Sequence, residues 1–177
     1  MRWFGRKRQV EQLVAAFYEP LYRYAFRLSG SAQEAEDLTQ ETFCQAQNKL
    51  EQLRDETRAK AWLFSILRNA YLHRVRATKQ ENRVPFDSIG EIPDRPGESL
   101  PDIEPAELQK ALGDMPEAFR TPIVLFYFEE FSYREIADQM SVPLGTVMSR
   151  LARAKTFLRQ RLLQVAPSLA SKPGEGP

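Results

Sequence analysis

QENRVPFDSIGEIPDRPGESLPDIEP, residues 80–105, constrains this chain more than any other stretch. It holds five prolines and two glycines among many acids, with only Arg83 and Arg95 basic. A proline removes a backbone donor and fixes φ at about −65°, so neither a helix nor a central strand survives that density. The segment therefore reads as an extended acidic tether dividing the chain into two parts.

Both parts have helical periodicity, with no alternating strand pattern and no Asn-Gly or Asp-Gly hairpin signal. A first helix is expected over about Gln9 to Leu28, with Leu13, Phe17, Leu21, Tyr24 and Leu28 on one stripe and Pro20 kinking or splitting it. Ser29-Gly30 ends it. Ser31 to Glu34 then reads as a capping box, Ser31 capping the helix start and Glu34 bonding back. The second helix runs to about Leu53, with Ala35, Leu38, Phe43, Ala46, Leu50 and Leu53 inward. A third, about Arg58 to Lys79, is apolar through Trp62, Leu63, Ile66, Leu67, Ala70 and Tyr71. Beyond the tether come four more: about Pro105 to Gly113, Pro116 to Glu130, Ser132 to Met140, and Pro143 to Leu163.

The expected fold is all-α. A helical bundle over 9–79 and a four-helix domain over 105–163 are joined by the flexible acidic linker 80–104, and 164–177 form a disordered tail.

The net charge of +1 names no partner, but the placement of the charges does. From Pro143 to Leu163 the charged residues are Arg150, Arg153, Lys155, Arg159 and Arg161, without one acid. The third helix and its approach carry Arg54, Arg58, Lys60, Arg68, Arg74, Arg76 and Lys79 against Asp55 and Glu56. The second helix is acidic, with Glu34, Glu36, Asp37, Glu41 and Glu51. Two basic surfaces, one per part, fit a polyanion gripped at two places.

SYREIADQMSVPLGTVMSRLARA (132–154) refines this. Ser132 is placed to cap a short helix whose inward face is Ile136, Ala137 and Met140, and Ala137 is small enough for a close helix crossing. Pro143 suits a first helical turn. The following helix buries Val147, Leu151, Ala154 and Leu158 and turns Thr146, Ser149, Arg150 and Arg153 outward, a small and basic face able to enter a major groove. Ser141 stands where many helix-turn-helix proteins have glycine.

Several classes are excluded. One cysteine, Cys44, and one histidine, His73, rule out an intramolecular disulfide and a cysteine- or histidine-rich metal site. The central apolar run Ile123 to Phe128 is too short to span a membrane. The basic start MRWFGRKRQ lacks the apolar stretch of a secretory signal, so a reducing cytoplasm is the expected location. Glycine-rich phosphate loops, GxSxG elbows and metal-ligand spacings are missing, so no catalytic residue, cofactor, metal or small-molecule substrate is expected. Cys44, beside Phe43, reads as a small core residue.

Three stretches in this order, QEAEDLTQETF (33–43), AWLFSILRNAYLHRVR (61–76) and FSYREIADQMSVPLGTVMSRLARAKTFLRQRL (131–162), resemble the extracytoplasmic-function (ECF) group of the bacterial sigma-70 family of transcription initiation factors. The resemblance spans about Leu13 to Leu163. It implies that 9–79 form region 2 and 105–163 form region 4. Core RNA polymerase would contact Asp37, Leu38, Gln40, Glu41 and Phe43. The single-stranded −10 element would lie against Lys60, Trp62, Arg68, Asn69, Arg74 and Arg76. Trp62 suits core or stacking platform; Asn69 suits a base edge or a backbone cap. The duplex −35 element would be read by Arg134, Leu144, Gly145, Thr146, Ser149, Arg150, Arg153 and Lys155. The tether would thread toward the polymerase active centre. An anti-sigma factor, which could hold the chain at a membrane, is implied as a further partner. The nearest other reading of the residues is a dimeric helix-turn-helix regulator that binds duplex DNA without polymerase.

Overall fold

The computed structural model describes the backbone of residues 2–78 and 104–169 and the side chains of 8–77 and 104–163. Most of the tether (79–103) and the last eight residues lie outside the described residues. Among the described residues there are seven α-helices and no strand: α1 Arg2–Ser29, α2 Ala32–Asn48, α3 Ala59–Thr78, α4 Pro105–Asp114, α5 Glu117–Tyr127, α6 Tyr133–Met140 and α7 Leu144–Leu169. Short 3-10 turns at Leu50–Gln52 and Glu56–Arg58 lie between α2 and α3.

Pro20 does not split the first helix. α1 continues through it because Leu13 on one side and Leu21, Tyr24, Ala25 and Leu28 on the other are all buried, so one apolar face holds both halves. α1 ends at Gly30, whose φ of +76° is left-handed and whose N–H donates to the Phe26 carbonyl at 2.8 Å.

The capping box expected at Ser31 is only half made. Ser31 Oγ accepts from the Glu34 N–H at 3.3 Å, but the Ser31 N–H is taken by Ser29 Oγ at 3.3 Å, which leaves Glu34 nothing to bond back to. The complete box is at α6. There Ser132 Oγ accepts from the Glu135 N–H, and the Glu135 carboxylate accepts from the Ser132 N–H (2.8 Å) and hydroxyl (2.6 Å). Those bonds hold the Glu135 carboxyl below its ordinary range.

Other boundaries move for local reasons. α2 stops at Asn48, although Leu50 stays buried in the 3-10 turn that follows. α5 ends at Tyr127, not Glu130, and Glu130 takes a left-handed φ of 58° that redirects the chain into α6. α7 runs six residues beyond Leu163.

The two parts are not held apart. One continuous cluster of buried side chains runs from Leu13 to Ala154 through both. At the seam Tyr24 packs on Phe64 (ring centroids 4.9 Å apart) and Phe64 on Phe131 (5.2 Å). The C-terminal part also serves the end of α1, whose last carbonyls have no partner within the helix. The buried Arg120 of α5 donates from Nη1 to the Leu28 carbonyl at 2.6 Å, and Gln109 of α4 donates to the Phe26 and Arg27 carbonyls at 3.2 and 3.3 Å. Tyr71 of α3 donates to the Leu28 carbonyl as well, at 3.0 Å.

In the turn between α6 and α7, Ser141 is left-handed (φ 53°, ψ 46°), and the Val142 N–H donates to the Ala137 carbonyl at 3.1 Å. The backbone thus adopts the geometry that glycine favours, with serine in place. A non-glycine residue there costs about 1–2 kcal/mol, partly offset in a glycine variant by greater freedom of the unfolded chain. Ser141→Gly should therefore stabilise the protein by roughly 0.5–1 kcal/mol in a urea titration; a lower midpoint would contradict this turn geometry.

Candidate nucleic-acid interface

The α6–α7 pair presents one face of the candidate interface. Val147, Leu151 and Ala154 are buried against the core and Leu158 packs beside them, so rotation about α7 is fixed. The rest of its surface exposes Leu144, Gly145, Ser149 and Lys155, and half-exposes Thr146, Arg150 and Arg153. Arg134, on α6, is exposed beside them in sequence order. Ser149 Oγ donates to the Thr146 carbonyl at 3.1 Å, which restrains it within the helix. Arg150 is partly sheltered, its Nε buried with no hydrogen-bond partner.

One residue on this face escapes the reading from sequence. Met148 is 53% exposed, one turn from Leu144 at 48%. Helical spacing places positions 144 and 148 beside the Val147–Leu151 stripe, so local periodicity gave no sign that Met148 is exposed. Large apolar side chains on a groove-facing helix suit thymine methyl groups.

The α3 face is arranged differently. Arg54, Arg58, Asn69, His73 and Arg76 are exposed, but three of its cations are engaged within the chain. Lys60 Nζ donates to the Glu129 carbonyl and lies 5.0 Å from the Phe131 ring centroid. Arg68 donates from Nη1 to the Gln139 carbonyl at 3.0 Å, with Glu117 4.0 Å from Nη2. Arg74 pairs with Glu41 of α2 at 2.6 Å. Trp62 is half-buried. It lines a cleft of about 560 Å³ between the two parts together with Arg54, Arg58, Glu130, Glu135 and Asp138. Thr57 donates from both N–H and hydroxyl to Asp55, holding that carboxyl below its ordinary range at the cleft's edge.

On α2 the five residues singled out divide by depth. Asp37 and Gln40 are exposed, three apart on one face, and Asp37 accepts from Gln33 at 3.3 Å. Glu41 is half-buried in its pair with Arg74. Leu38 is fully buried, and Phe43 is buried with its ring stacked on Tyr18 at 6.4 Å. Leu38 and Phe43 therefore shape the helix from within. Cys44 is exposed rather than core: the inward stripe runs through Leu38, Thr42, Phe43 and Ala46, and position 44 falls outside it. The buried threonines Thr39 and Thr42, absent from the sequence reading of the core, satisfy their hydroxyls on the Ala35 and Leu38 carbonyls at 2.7 Å each.

Residues 13–81 match Sigma-70 region 2, and residues 106–158 match Sigma-70, region 4. The ECF RNA polymerase sigma factor SigE of Mycolicibacterium smegmatis is 36% identical over 86% of this chain, which spans 61% of that relative's length. SigL of Mycobacterium tuberculosis H37Rv is 35% identical over 86% of this chain and 90% of its own. The sigma factor RpoE of Bartonella quintana, solved in complex with the anti-sigma factor NepR, superposes with a TM-score of 0.67 at 31% identity, over 88% of this chain and 96% of that one.

Solution pH reaches this site through Glu129. Its side chain is 6% exposed at the seam, and burial raises its pKa to about 7 against the pull of Lys60, Arg23 and Arg27, with Glu130 adding to the rise. Folding then takes up a proton between about pH 4.5, the ordinary glutamate value, and 7. The contribution to stability is complete below about 4.5 and is lost as pH rises through 7. Glu129→Gln should therefore match the parent's melting temperature near pH 5 and exceed it at pH 8. Parallel melting curves at both pH values would contradict a buried, protonated Glu129.

Proposed function

The chain belongs to the extracytoplasmic-function group of the sigma-70 family, RNA polymerase sigma factors that direct promoter recognition, and on that footing we propose how its surfaces divide the work. Residues 9–79 act as region 2 and 105–163 as region 4, joined by the acidic segment 80–104. The exposed α2 face at Asp37 and Gln40, flanked by Glu41, docks on a basic surface of core polymerase. Leu38 and Phe43 hold that helix in place from beneath.

Region 4 reads the −35 duplex with the α7 face. Thr146, Ser149, Arg150 and Arg153 lie nearest the bases with Met148 and Leu144 beside them, and Arg134 and Lys155 are on phosphates. Region 2 takes the opened −10 strand on α3. Arg68, Lys60, Arg74 and Arg76 supply the cationic track, Trp62 a planar surface and Asn69 an amide at a base edge. The observation that carries this division is the pairing, in one chain, of an acid-free, outward-facing α7 with a separate acidic face on α2. A regulator that binds duplex DNA unaided has no use for the second, and family membership sets that reading aside.

No catalytic step belongs to the chain in this reading; the chemistry is polymerase's. Acting on core polymerase and promoter DNA, the protein works in the cytoplasm in this reading. The Bartonella quintana relative's complex supports an anti-sigma factor as this chain's third partner, after polymerase and promoter DNA.

Run-off transcription from genomic fragments with core polymerase, with and without the protein, tests the reading: added initiation is expected, and none would overturn it. Within it, Arg150→Ala should lower −35-dependent initiation roughly 10- to 100-fold while leaving core binding intact. Asp37→Arg should weaken core binding and leave the α7 face unaltered. Equal loss of the same step by both variants would contradict the division.

A further inference from the structure

Two apolar side chains at the start of α7 stay open beside residues that are packed away. Leu144 and Met148 are 48% and 53% exposed, yet they border the buried row, where Leu151 is 5% exposed. They stand four residues apart and so lie side by side along one flank of the helix. The other described methionines, Met115 and Met140, are 1% and 7% exposed. The pair thus leaves an apolar strip uncovered by any described residue, at the end of the helix that meets base edges in helix-turn-helix proteins.

What surrounds the strip identifies its occupant. At about 100° per residue, the small and exposed Gly145, Ser149 and Ala152 form the middle of the open surface. Thr146, Arg150 and Arg153 form its other flank. The stretch from Pro143 to Leu163 carries five basic residues and no acid, so the strip sits in a positive field that suits a phosphate-bearing duplex. A middle of small residues lets the helix sit deep in a major groove, with each flank against a different set of base edges. In that groove the C5-methyl of thymine is the apolar group on offer, and neither cytosine nor a purine carries an equivalent.

We propose that Leu144 and Met148 read thymine methyl groups in the −35 element, so that this sigma factor selects thymine beside one flank of α7. The inference rests on the assignment of α7 to the −35 duplex and adds to it the chemical feature being read. Methionine suits the task, because an unbranched side chain with a polarisable sulfur moulds itself to an irregular apolar surface. Arg150 and Arg153 can donate to guanine edges and phosphates, which an apolar side chain cannot, so the two flanks select different bases. Removing one methyl from such a contact weakens it about 3- to 5-fold.

The test uses holoenzyme assembled from core polymerase and the full chain, on promoter templates that support run-off initiation. Each −35 thymine, on either strand, is replaced in turn by deoxyuridine, which keeps the base pair and removes only the methyl. For the parent, at least one such template should need about 3- to 5-fold more holoenzyme for half-maximal initiation. Met148→Ala should shrink that ratio, adding Leu144→Ala should abolish it, and Met148→Leu should keep it. Arg150→Ala should lower initiation on both templates and leave their ratio unchanged. A −35 element without thymine, a parent indifferent to uracil at every position, or a full uracil penalty in the Leu144→Ala, Met148→Ala double variant would each overturn the inference. Weakened core binding by the double variant with the uracil penalty intact would overturn it too, and would assign the strip to polymerase. Initiation that ignores uracil leaves the sigma-factor reading standing, whereas no initiation on any template removes both.

Discussion

The contact between Arg120 and the Leu28 carbonyl sets the arrangement of everything else. α1 ends with carbonyls that its own helix cannot satisfy, and Gly30 answers only one of them. Arg120 is itself a buried charge, 6% exposed, and needs acceptors once water is removed. The two requirements meet at 2.6 Å, with Gln109 and Tyr71 completing the cap. A cation is also the favourable partner for a helix C-terminus. The end of the first helix is therefore finished by residues some 80 to 90 positions later, and the two parts are brought face to face.

From that anchoring follows the asymmetry of the functional surfaces. With α5 held on the end of α1, the bend after it falls on α3. Phe131 enters the aromatic group of Tyr24 and Phe64, and Lys60 and Arg68 are taken up by backbone carbonyls. α7 points away and keeps its basic and apolar groups at the surface. The hydrogen bonds across the seam each contribute about 0.5–1.5 kcal/mol net, against which the unpaired buried groups must be set. Together with the shared apolar cluster, these bonds hold the two parts together.

How much of this was legible in the sequence depends on the range of the forces involved. The helices were legible because apolar periodicity is local: all seven appear near their expected places, and the α7 face followed from Val147, Leu151 and Ala154 facing inward. Errors arose where a neighbouring group competed. Ser29 displaced Glu34 from the expected capping box, and the α2 stripe turned Cys44 outward. Pro20 was overridden by burial on both sides of it. The closure was not legible. Arg68, Lys60, Gln109 and Arg120 look like surface residues in any local window, and only the fold brings them to carbonyls far along the chain. Cations proposed to face DNA could be named from charge and motif, whereas their present occupation could not.

The central claim is that the two parts of this sigma factor pack on one another at a shared seam through Tyr24, Phe64 and Phe131. Cys44 is exposed and is the only cysteine, so a pair of fluorophores on Cys44 and on Gln160→Cys, an exposed position of α7, reports directly on the separation of the two parts. Energy transfer should be high in the folded protein and fall when urea unfolds it. Transfer in the folded protein no higher than in the urea-unfolded chain would contradict the account.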